Sequence, residues 1–482
     1  MVRMRRSALT ISTAALLCLF TVLGGAASAR TAAGVKGDPQ PELKPFVIGP
    51  SNYEGGTVAM EPNGTLVVAR GGTAGAGSII VCVLSRGASK CSSTATLKPF
   101  SPDDFMGTPE VFVPSANHVV VLMGACCDSN AKGSDLLFTS ANGGKTFGAP
   151  VRVGTLGVSA AALIAGNVVF TELNDGHGTE VESLPVNASG PPATTAVANA
   201  NTAFDVAVGS YKRGALVGSD FLGTDYTTSV YYAKAGANFD ASGSYHRVAS
   251  FAHEELLAMS GGALLTTKTT GKPFLVLRLF NGTSFGAPHV VPGSAAGFEG
   301  GIGTWSTVDQ DPSGRVHIFN ESEFSSPPYI LNELSTSTGA TWTAAVDLGN
   351  AINSNTFDAA LDAHGSGLVV GTDADQPTWG YPVLAAQSVS FSLKSSTIKK
   401  GSSTTASGAG SAAAPGRVVD LQVERAGLWY TVATTHEGSG GTFSFTIKGT
   451  SAGTFDYRAV AADLAGYVMY GYSAARALKV TT

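Results

Sequence analysis

Short hydrophobic runs recur along most of this chain, and each follows a turn sequence rich in Gly, Asn, Pro or Ser. Successive turns are about 50 residues apart. β-Branched residues dominate the runs, as in Val119–Leu122 and Val316–Phe319, and such residues favour strands bounded by turns. The pattern therefore predicts seven hairpins. Their turns are Asn63-Gly64, Ser115–Asn117, Ala165–Asn167, Lys212–Gly214, Gly261-Gly262, Pro312–Gly314 and Gly365–Gly367.

The period of the hairpins predicts the architecture of residues 45–387. A repeat of roughly 40 to 50 residues with about four strands is typical of the blades of a β-propeller. The last repeat, from Phe357 to about Gln387, is one strand short, and the segment Pro45–Ile48 can pair into it. Such pairing would remove two exposed sheet edges at once. We therefore expect a seven-bladed propeller; six blades is the alternative, if one hairpin is an insertion.

The pattern changes after Gln387. A loop rich in Gly, Ser and Ala covers residues 401–416, and several β-rich runs lie around and beyond it. A series of about six or seven short strands over residues 388–482 predicts a β-sandwich. The run Gly453–Arg458 resembles the penultimate strands of bacterial immunoglobulin-like modules. This resemblance implies an Ig-like domain that follows the propeller.

The first 29 residues have the features of a secretory signal. Arg3, Arg5 and Arg6 precede an apolar stretch, and Ala27-Ser28-Ala29 forms an A-x-A cleavage site. We expect cleavage after Ala29 and secretion of the mature chain to the extracellular space. No later stretch supplies the roughly 18 uninterrupted apolar residues that a membrane span requires.

Composition narrows the fold class and the partners. Charged residues make up only 13% of the chain and Gly numbers 60, which with many tight turns indicates an all-β protein. Without the three signal arginines, 27 basic residues face 35 acidic ones, a net charge of −8. This charge disfavours nucleic acid and anionic membranes as partners. We expect a monomer.

Four cysteines remain after cleavage: Cys82, Cys91, Cys126 and Cys127. In an oxidising compartment Cys82 and Cys91 can staple one hairpin. Cys126 and Cys127 can form a vicinal disulfide, or they pair elsewhere or stay reduced. No His or carboxylate cluster at ligand spacing accompanies the cysteines, so we predict structural disulfides, no metal and no cofactor.

Two turn motifs share one spacing. They are Ser140, Asn142, Gly144 and Phe147 in the first copy, and Ser335, Ser337, Gly339 and Trp342 in the second. Both resemble the Asp box, S-x-D-x-G-x-x-W, of the sialidase-like (BNR-repeat) propeller superfamily, in the exported form seen in actinobacteria, although neither copy keeps the Asp. The copies lie 195 residues apart, close to four periods of the hairpins. The resemblance implies a structural turn, away from the active site.

In propellers the ligand funnel is lined at the start of each innermost strand, and the matching positions here are acidic and aromatic. Aromatic faces and carboxylates bind sugars, and paired carboxylates hydrolyse glycosides. The alternative interpretation is that each of these residues only forms a turn or caps a strand at the end of a loop. The candidate catalytic carboxylates are Glu54, Asp205, Glu254 and Asp358. The candidate ligand-binding residues are Tyr53, Asp104, Phe204, His253 and Trp305.

The resemblance to sialidases does not extend to their arginines. That family requires three arginines that converge on the substrate carboxylate, the first in an R-I-P motif, whereas residues 44–51 contain no Arg. We therefore expect a secreted propeller that binds an extracellular carbohydrate or similar ligand in its funnel, without true sialidase activity. The alternatives are an exo-acting glycoside hydrolase that uses funnel carboxylates, and a protein-binding scaffold.

Overall fold

The structure is a computed structural model. It describes residues 44–50, 55–72, 78–99, 106–125, 135–154, 158–174, 178–187, 194–198, 203–222, 226–271, 273–294, 306–322, 329–343, 345–351, 356–372, 377–385, 387–411, 415–425, 427–462 and 471–482. These residues form strands and two short 3-10 turns, with no α-helix among them, which confirms the all-β class. The described residues therefore also contain no helix able to cross a bilayer. The predicted signal peptide, residues 1–29, lies outside them.

Strands from residue 46 to residue 383 form successive antiparallel units of four strands, which we number I to VII. The first strand of the chain, β1 (Phe46–Gly49), belongs to the last unit. Units I to III contain β2 (Gly56–Met60), β3 (Leu66–Gly71), β4 (Ile79–Leu84) and β5 (Ser93–Leu97); β6 (Met106–Ser115), β7 (His118–Ala125), β8 (Asp135–Ser140) and β9 (Val151–Gly154); and β10 (Val158–Ile164), β11 (Asn167–Asn174), β12 (Gly178–Pro185) and β13 (Thr194–Ala198).

The remaining units continue in the same order. Units IV to VI contain β14 (Ala203–Tyr211), β15 (Gly214–Leu222), β16 (Tyr226–Ala233) and β17 (His246–Ala252); β18 (Glu254–Ser260), β19 (Ala263–Lys268), β20 (Phe274–Leu279) and β21 (His289–Val290); and β22 (Ser306–Gln310), β23 (Val316–Ser322), β24 (Tyr329–Thr336) and β25 (Val346–Ala351). Unit VII contains β26 (Thr356–Leu361), β27 (Gly367–Thr372), β28 (Thr378–Val383) and β1. A parallel bridge between Thr227 and Glu254 joins units IV and V into one eight-stranded sheet.

The first strands of the units follow one another around a closed circuit. Strand β2 contacts β6, and the contacts continue through β10, β14, β18, β22 and β26 back to β2. Unit VII is completed by β1, which pairs antiparallel with β28 and places Phe46 opposite Gly380. This confirms the pairing predicted for Pro45–Ile48. Chain segments from opposite ends of residues 46–383 thus share one sheet.

The cores lie between neighbouring units, because each second strand is covered on both faces. In β3, Val67 belongs to the cluster between units I and II, whereas Val68 belongs to the cluster between units VII and I. Side chains alternate between the faces of a strand, so a strand buried on both sides is a continuous hydrophobic run. Burial of each such side chain contributes about 1.5–3 kcal/mol. All seven predicted turns connect the first and second strands of their units.

Several of these turns are closed by an acidic residue three positions before a Gly. Asp311 Oδ1 accepts the N–H groups of Ser313 at 2.8 Å and Arg315 at 3.0 Å. Gly314 has a φ of 88°, a left-handed conformation that favours glycine. The carboxylate satisfies backbone donors that the hairpin itself leaves unpaired.

A disulfide joins Cys82 on β4 to Cys91, just before β5, with a Cα–Cα distance of 5.4 Å. It confirms the predicted staple across the outer hairpin of unit I. Cys126 and Cys127 lie outside the described residues.

The C-terminal region forms two sheets. One has the order β29 (Ser392–Leu393), β31 (Ser403–Ala409) and β34 (Thr442–Lys448). The other has the order β30 (Thr397–Lys399), β37 (Arg476–Thr481), β35 (Gly453–Ala461), β32 (Val418–Arg425) and β33 (Leu428–His436), with β36 (Gly471–Tyr472) beside β35. Side chains from both sheets, such as Phe445 and Leu421, form one core. This is the arrangement of a β-sandwich.

Candidate functional site

The free edges of the first strands carry polar cross-links between neighbouring units. Each first strand pairs with the second strand of its unit, and its other edge needs partners for its backbone groups. Val58 N–H donates to Asp358 Oδ2 at 2.7 Å, which connects units I and VII. Thr57 Oγ1 donates to the carbonyl of Pro109 at 2.8 Å, which connects units I and II. Side-chain hydrogen bonds therefore connect neighbouring units of the circuit, in addition to hydrophobic packing.

Units V and VI are connected in the same way. Ser260 Oγ donates to Asp309 Oδ1 at 2.9 Å and accepts the N–H of Gln310 at 3.1 Å. Gln310 Oε1 in turn accepts the N–H of Gly262 at 2.8 Å. These bonds hold the Asp309 carboxyl group against the neighbouring first strand.

Three carboxyl groups on first strands form what we call the axial carboxyl cluster: Glu110 on β6, Asp309 on β22 and Asp358 on β26. Burial raises the pKa of Asp358 to about 7, against the lowering effect of the Val58 N–H and with a further increase from Asp309. Burial also raises the pKa of Asp309 to about 6, although the hydrogen bond from Ser260 opposes it. For Glu110, burial and the charge of Asp358 raise the pKa well above its usual value. The groups therefore act on one another electrostatically.

A carboxyl group with a pKa near neutrality has two chemical uses. Protonated, it donates a hydrogen bond or transfers a proton as a general acid; ionised, it accepts hydrogen bonds from hydroxyl groups. Asp358, with a pKa of about 7, offers both forms close to neutral pH. Within the described ranges, no group of three or more His, Cys, Asp or Glu residues is arranged to hold a metal ion.

Of the four predicted catalytic carboxylates, the structure places Asp358 in this cluster. Glu54 lies outside the described residues. Asp205 lies on β14, where only the backbone is described. Glu254 is buried at the start of β18, and its carboxylate binds the guanidinium of Arg278 and accepts a hydrogen bond from Thr266 Oγ1 at 2.8 Å. Arg278 Cζ also lies 4.1 Å from the ring centroid of Phe251 on β17 of unit IV. Because Arg278 and Thr266 belong to unit V, the Glu254 carboxylate is engaged within its own unit.

The predicted ligand-binding residues are mostly beyond the described ranges. Tyr53, Asp104 and Trp305 lie outside them, and Phe204 is described by its backbone in β14. His253 connects β17 and β18 with a φ of 60°. Its N–H donates to the Tyr226 carbonyl at 2.8 Å, and its own carbonyl accepts the N–H of Thr269 at 2.9 Å.

Sequence reasoning missed Glu110 and Asp309. Both lie in the interior of first strands, whereas the predicted positions were the starts of these strands. The available signal was an acidic residue inside a β-rich run, as in Pro109-Glu110-Val111 and Val308-Asp309-Gln310. A charged group at such a position needs a partner or a function.

The two Asp-box-like turns connect third and fourth strands. Ser140 Oγ accepts the N–H of Gly144 at 3.0 Å, and Asn142 Oδ1 accepts the N–H of Thr146 at 3.0 Å. Phe147 packs against the core between units I and II, as expected for a turn whose aromatic residue folds back between sheets.

The second turn uses a different hydroxyl. Thr336 Oγ1 accepts the N–H of Gly339 at 2.8 Å, whereas Ser335 Oγ contacts Thr343 Oγ1 at 3.3 Å. Ser337 is exposed, and Trp342 packs against the core between units V and VI. Both turns therefore serve local structure.

The structure is similar to that of Trypanosoma rangeli sialidase. The complex with 2,3-difluorosialic acid, a covalent intermediate, matches at 12% sequence identity and a TM-score of 0.37, covering 71% of this chain and 57% of that one. The complex with the inhibitor DANA matches at 11% identity and a TM-score of 0.38, covering 86% and 83%. The chain thus spans little more than half of the sialidase chain in the first match.

An endo-1,5-α-L-arabinanase from Thermotoga petrophila matches at 8% identity and a TM-score of 0.28, covering 70% of this chain and 99% of that one. No protein-family model matches the chain, and no curated protein matches it in sequence. The architecture rests on the chain's own sheet order and strand contacts.

Proposed function

We propose that this protein is a secreted, seven-bladed, sialidase-like β-propeller that binds an extracellular carbohydrate in its central funnel, followed by an Ig-like domain. The axial carboxyl cluster carries the proposal. Glu110, Asp309 and Asp358 come from three different units and interact through their charges. Sugar hydroxyls both donate and accept hydrogen bonds, as does a carboxyl group that is partly protonated near pH 7. Units I to VII are then the seven blades.

The cluster argues against sialic acid as the ligand. A sialoside carries a carboxylate, which carboxylates along the axis would repel. The seven first strands contain no Arg, the side chain suited to bind a carboxylate through two parallel hydrogen bonds. We therefore propose a neutral carbohydrate for this site.

The funnel mouth is proposed to hold the remaining sequence candidates. Tyr53, Glu54, Asp104 and Trp305 lie just before first strands, Phe204 and Asp205 lie within the first three residues of β14, and His253 immediately precedes β18. Aromatic and acidic groups there would contact the sugar above the cluster. They form the second set of positions to substitute.

A second candidate function is glycoside hydrolysis. The pKa of about 7 at Asp358 favours it, because a general acid works best when its pKa lies near the operating pH. Asp309, with a pKa of about 6, would then be the ionised partner. Hydrolysis requires both groups to reach one glycosidic bond.

The experiment is a glycan array, followed by release assays with fluorogenic glycosides that include a sialoside. Wild type is compared with Asp309→Asn and Asp358→Asn, singly and together. Asp347→Asn is the matched control, because Asp347 is exposed on the outer strand β25 of the same unit as Asp309. We expect a neutral glycan to bind wild type and Asp347→Asn, with affinity reduced about tenfold or more in the double variant.

The release assay separates the two candidate functions. Turnover that disappears in Asp358→Asn while the glycan still binds would establish hydrolysis. Binding that is unchanged in the double variant would remove the cluster from the site. Release of sialic acid by wild type would contradict the proposed absence of sialidase activity.

A further inference from the structure

The chain contains three Asn-Gly pairs, at Asn63-Gly64, Asn142-Gly143 and Asn281-Gly282. Such a pair can lose ammonia without an enzyme, because the backbone nitrogen of a Gly meets no side chain as it approaches the amide carbon of the preceding Asn. The reaction converts Asn to an acidic residue. All three Asn residues are exposed, so we expect the backbone nitrogen and the hydrogen bonds around the amide to decide which of them reacts.

The backbone nitrogen is protected at two of the pairs. The N–H of Gly64 donates to the Glu61 carbonyl at 2.8 Å, and the N–H of Gly143 donates to the Asn117 carbonyl at 2.8 Å. Both glycines are buried. The nitrogen has to lose its proton before it attacks, and a proton in a buried hydrogen bond is released to solvent only when the structure opens locally.

The nitrogen of Gly282 has no comparable protection. Gly282 is half-buried in the segment between β20 and β21, and no described residue accepts its N–H. Solvent base therefore reaches this proton without breaking a hydrogen bond of the protein.

The amide of Asn281 is also held in a reactive environment. Its Oδ1 accepts the N–H and the hydroxyl of Thr283, each at 2.9 Å, and the N–H of Ser284 at 3.0 Å. This oxygen becomes negatively charged when the amide carbon is attacked, and donors already in place at such distances stabilise that charge. Among the described residues, Asn63 Oδ1 has a single donor, the N–H of Thr65 at 2.8 Å.

We propose that Asn281 is a site of spontaneous deamidation in the folded protein, and that its own turn promotes the reaction. The Gly282 nitrogen loses its proton to solvent base and forms a bond to Cγ of Asn281. The bond between Cγ and Nδ2 then breaks, and ammonia leaves with a proton from water. Water opens the resulting succinimide ring at either of its two carbonyl carbons, which gives Asp or isoaspartate.

The turn joins two aromatic rings of the core between units IV and V. Phe280 and Phe285 form an isolated β-bridge, and their ring centroids are 5.1 Å apart. Tyr211 of unit IV packs edge-on against Phe280. Isoaspartate adds a methylene to the backbone between the two Phe residues, and a close-packed core does not absorb that change without moving a ring. The modification therefore weakens the contact between units IV and V.

The test follows the full-length protein at pH 8 over several weeks, with the deamidated fraction at each Asn-Gly pair measured by peptide mass spectrometry. Asn63 is the matched control within the same molecule, because Asn63–Thr65 and Asn281–Thr283 have the same three residues. A parallel sample in concentrated urea gives the rates in the unfolded chain. Thr283→Val removes the hydroxyl donor to Oδ1, and its melting temperature before incubation confirms that the variant is folded.

We expect Asn281 in the folded protein to react at least about tenfold faster than Asn63, the factor that corresponds to breaking one hydrogen bond before the attack. In urea the two sites should react at equal rates. Thr283→Val should slow the reaction at Asn281 about fivefold, the effect of losing one neutral donor. The proposal is overturned if Asn281 reacts no faster than Asn63 in the folded protein, if the difference persists in urea, or if Thr283→Val reacts as fast as wild type.

The consequence for the core is measured on the same samples. The melting temperature of wild type should fall as isoaspartate accumulates, whereas that of Asn281→Ser should stay constant over the same period. Modified wild type that melts at its original temperature would contradict the predicted effect on units IV and V.

Discussion

Asp358 Oδ2 accepts the backbone N–H of Val58 at 2.7 Å, although the two residues are 300 positions apart in the sequence. The bond connects the first strand of unit VII to the first strand of unit I, where the circuit of units closes. Asp358 therefore has a structural role in the ring and, in the proposed function, a chemical role at the axis. Substitutions can separate the two.

Asp358→Ala and Asp358→Asn should differ in stability. Alanine leaves the Val58 N–H without its acceptor, which costs about 1–3 kcal/mol. Asparagine keeps an acceptor oxygen and removes the cost of ionising a half-buried group, so at pH 8 it should be at least as stable as wild type. Urea unfolding of the three proteins at pH 8 provides the measurement. An alanine variant as stable as the asparagine variant would contradict the role of the hydrogen bond.

The axial cluster should make stability depend on pH. The pKa values of Asp309 and Asp358 are raised in the folded protein, to about 6 and about 7. Between an ordinary Asp pKa of about 4 and these values, the folded state binds more protons than the unfolded state. The contribution of the two groups to the free energy of unfolding therefore falls as pH rises through this window and levels off at about pH 8.

The double variant Asp309→Asn, Asp358→Asn isolates this effect. The stability of wild type minus that of the double variant should decrease from pH 4 to pH 7, because the other titrating groups cancel in the difference. Thermal melts across that range measure it. A constant difference would show that the two carboxyl groups titrate normally.

Arg86 of unit I forms an ion pair with Asp362 of unit VII, near the turns that join first and second strands. Its guanidinium contacts the carboxylate of Asp362 and the hydroxyl of Ser366, and both charged side chains are largely buried. Arg86→Met leaves the Asp362 carboxylate unpaired, which should cost about 3–5 kcal/mol. Arg247→Met, on the outer strand β17 and exposed, should change stability by less than about 0.5 kcal/mol. Chemical denaturation compares the two; equal effects would mean that the ion pair adds nothing.

His317 should give the stability of the folded state a second pH dependence, over a different pH range. Its Nδ1 lies 2.8 Å from Glu333 Oε1 and its Nε2 lies 3.2 Å from Asp311 Oδ2. Burial lowers the pKa of His317, but Glu333 and Asp311 together raise it above its ordinary value. For a raised histidine pKa, the stabilisation is fully present below about pH 6.5 and is lost as pH rises through the folded value.

His317→Gln should therefore lose most stability, relative to wild type, at pH 6, and progressively less at higher pH. Urea titrations at pH 6 and pH 9 test this. A loss that grows with pH would mean that the imidazole is neutral between the two carboxylates.

The features of the fold that the sequence predicted are those that depend on neighbouring residues in the chain. Turn residues and β-branched runs determine each hairpin wherever it lies in the fold, so all seven turns were located. The pairing of β1 was predicted from one missing strand, because an unpaired edge is unfavourable. The disulfide followed from two cysteines in one hairpin.

The site was predicted less completely, because it depends on which side chains meet across units. Asp358 was predicted. Glu110 and Asp309 come near it only because the first strands of the units form a closed circuit, and no local sequence pattern indicates that circuit. Glu254 has the same sequence context as Asp358, yet Arg278 on β20 binds it. The second Asp-box-like turn uses Thr336 in place of Ser335, and a shift of one residue on a strand reverses the face of the side chain.

The position of β1 imposes an order on folding. Its partner β28 ends at Val383, so the first strand remains without a partner until almost all of the ring has left the ribosome. Units I to VI can fold as they are synthesised, but the sheet of unit VII requires β1 together with β26, β27 and β28. Contacts between such distant segments form slowly because loop-closure entropy must be overcome first. A chain whose synthesis stops before Thr378 would therefore keep β1 without its partner strand.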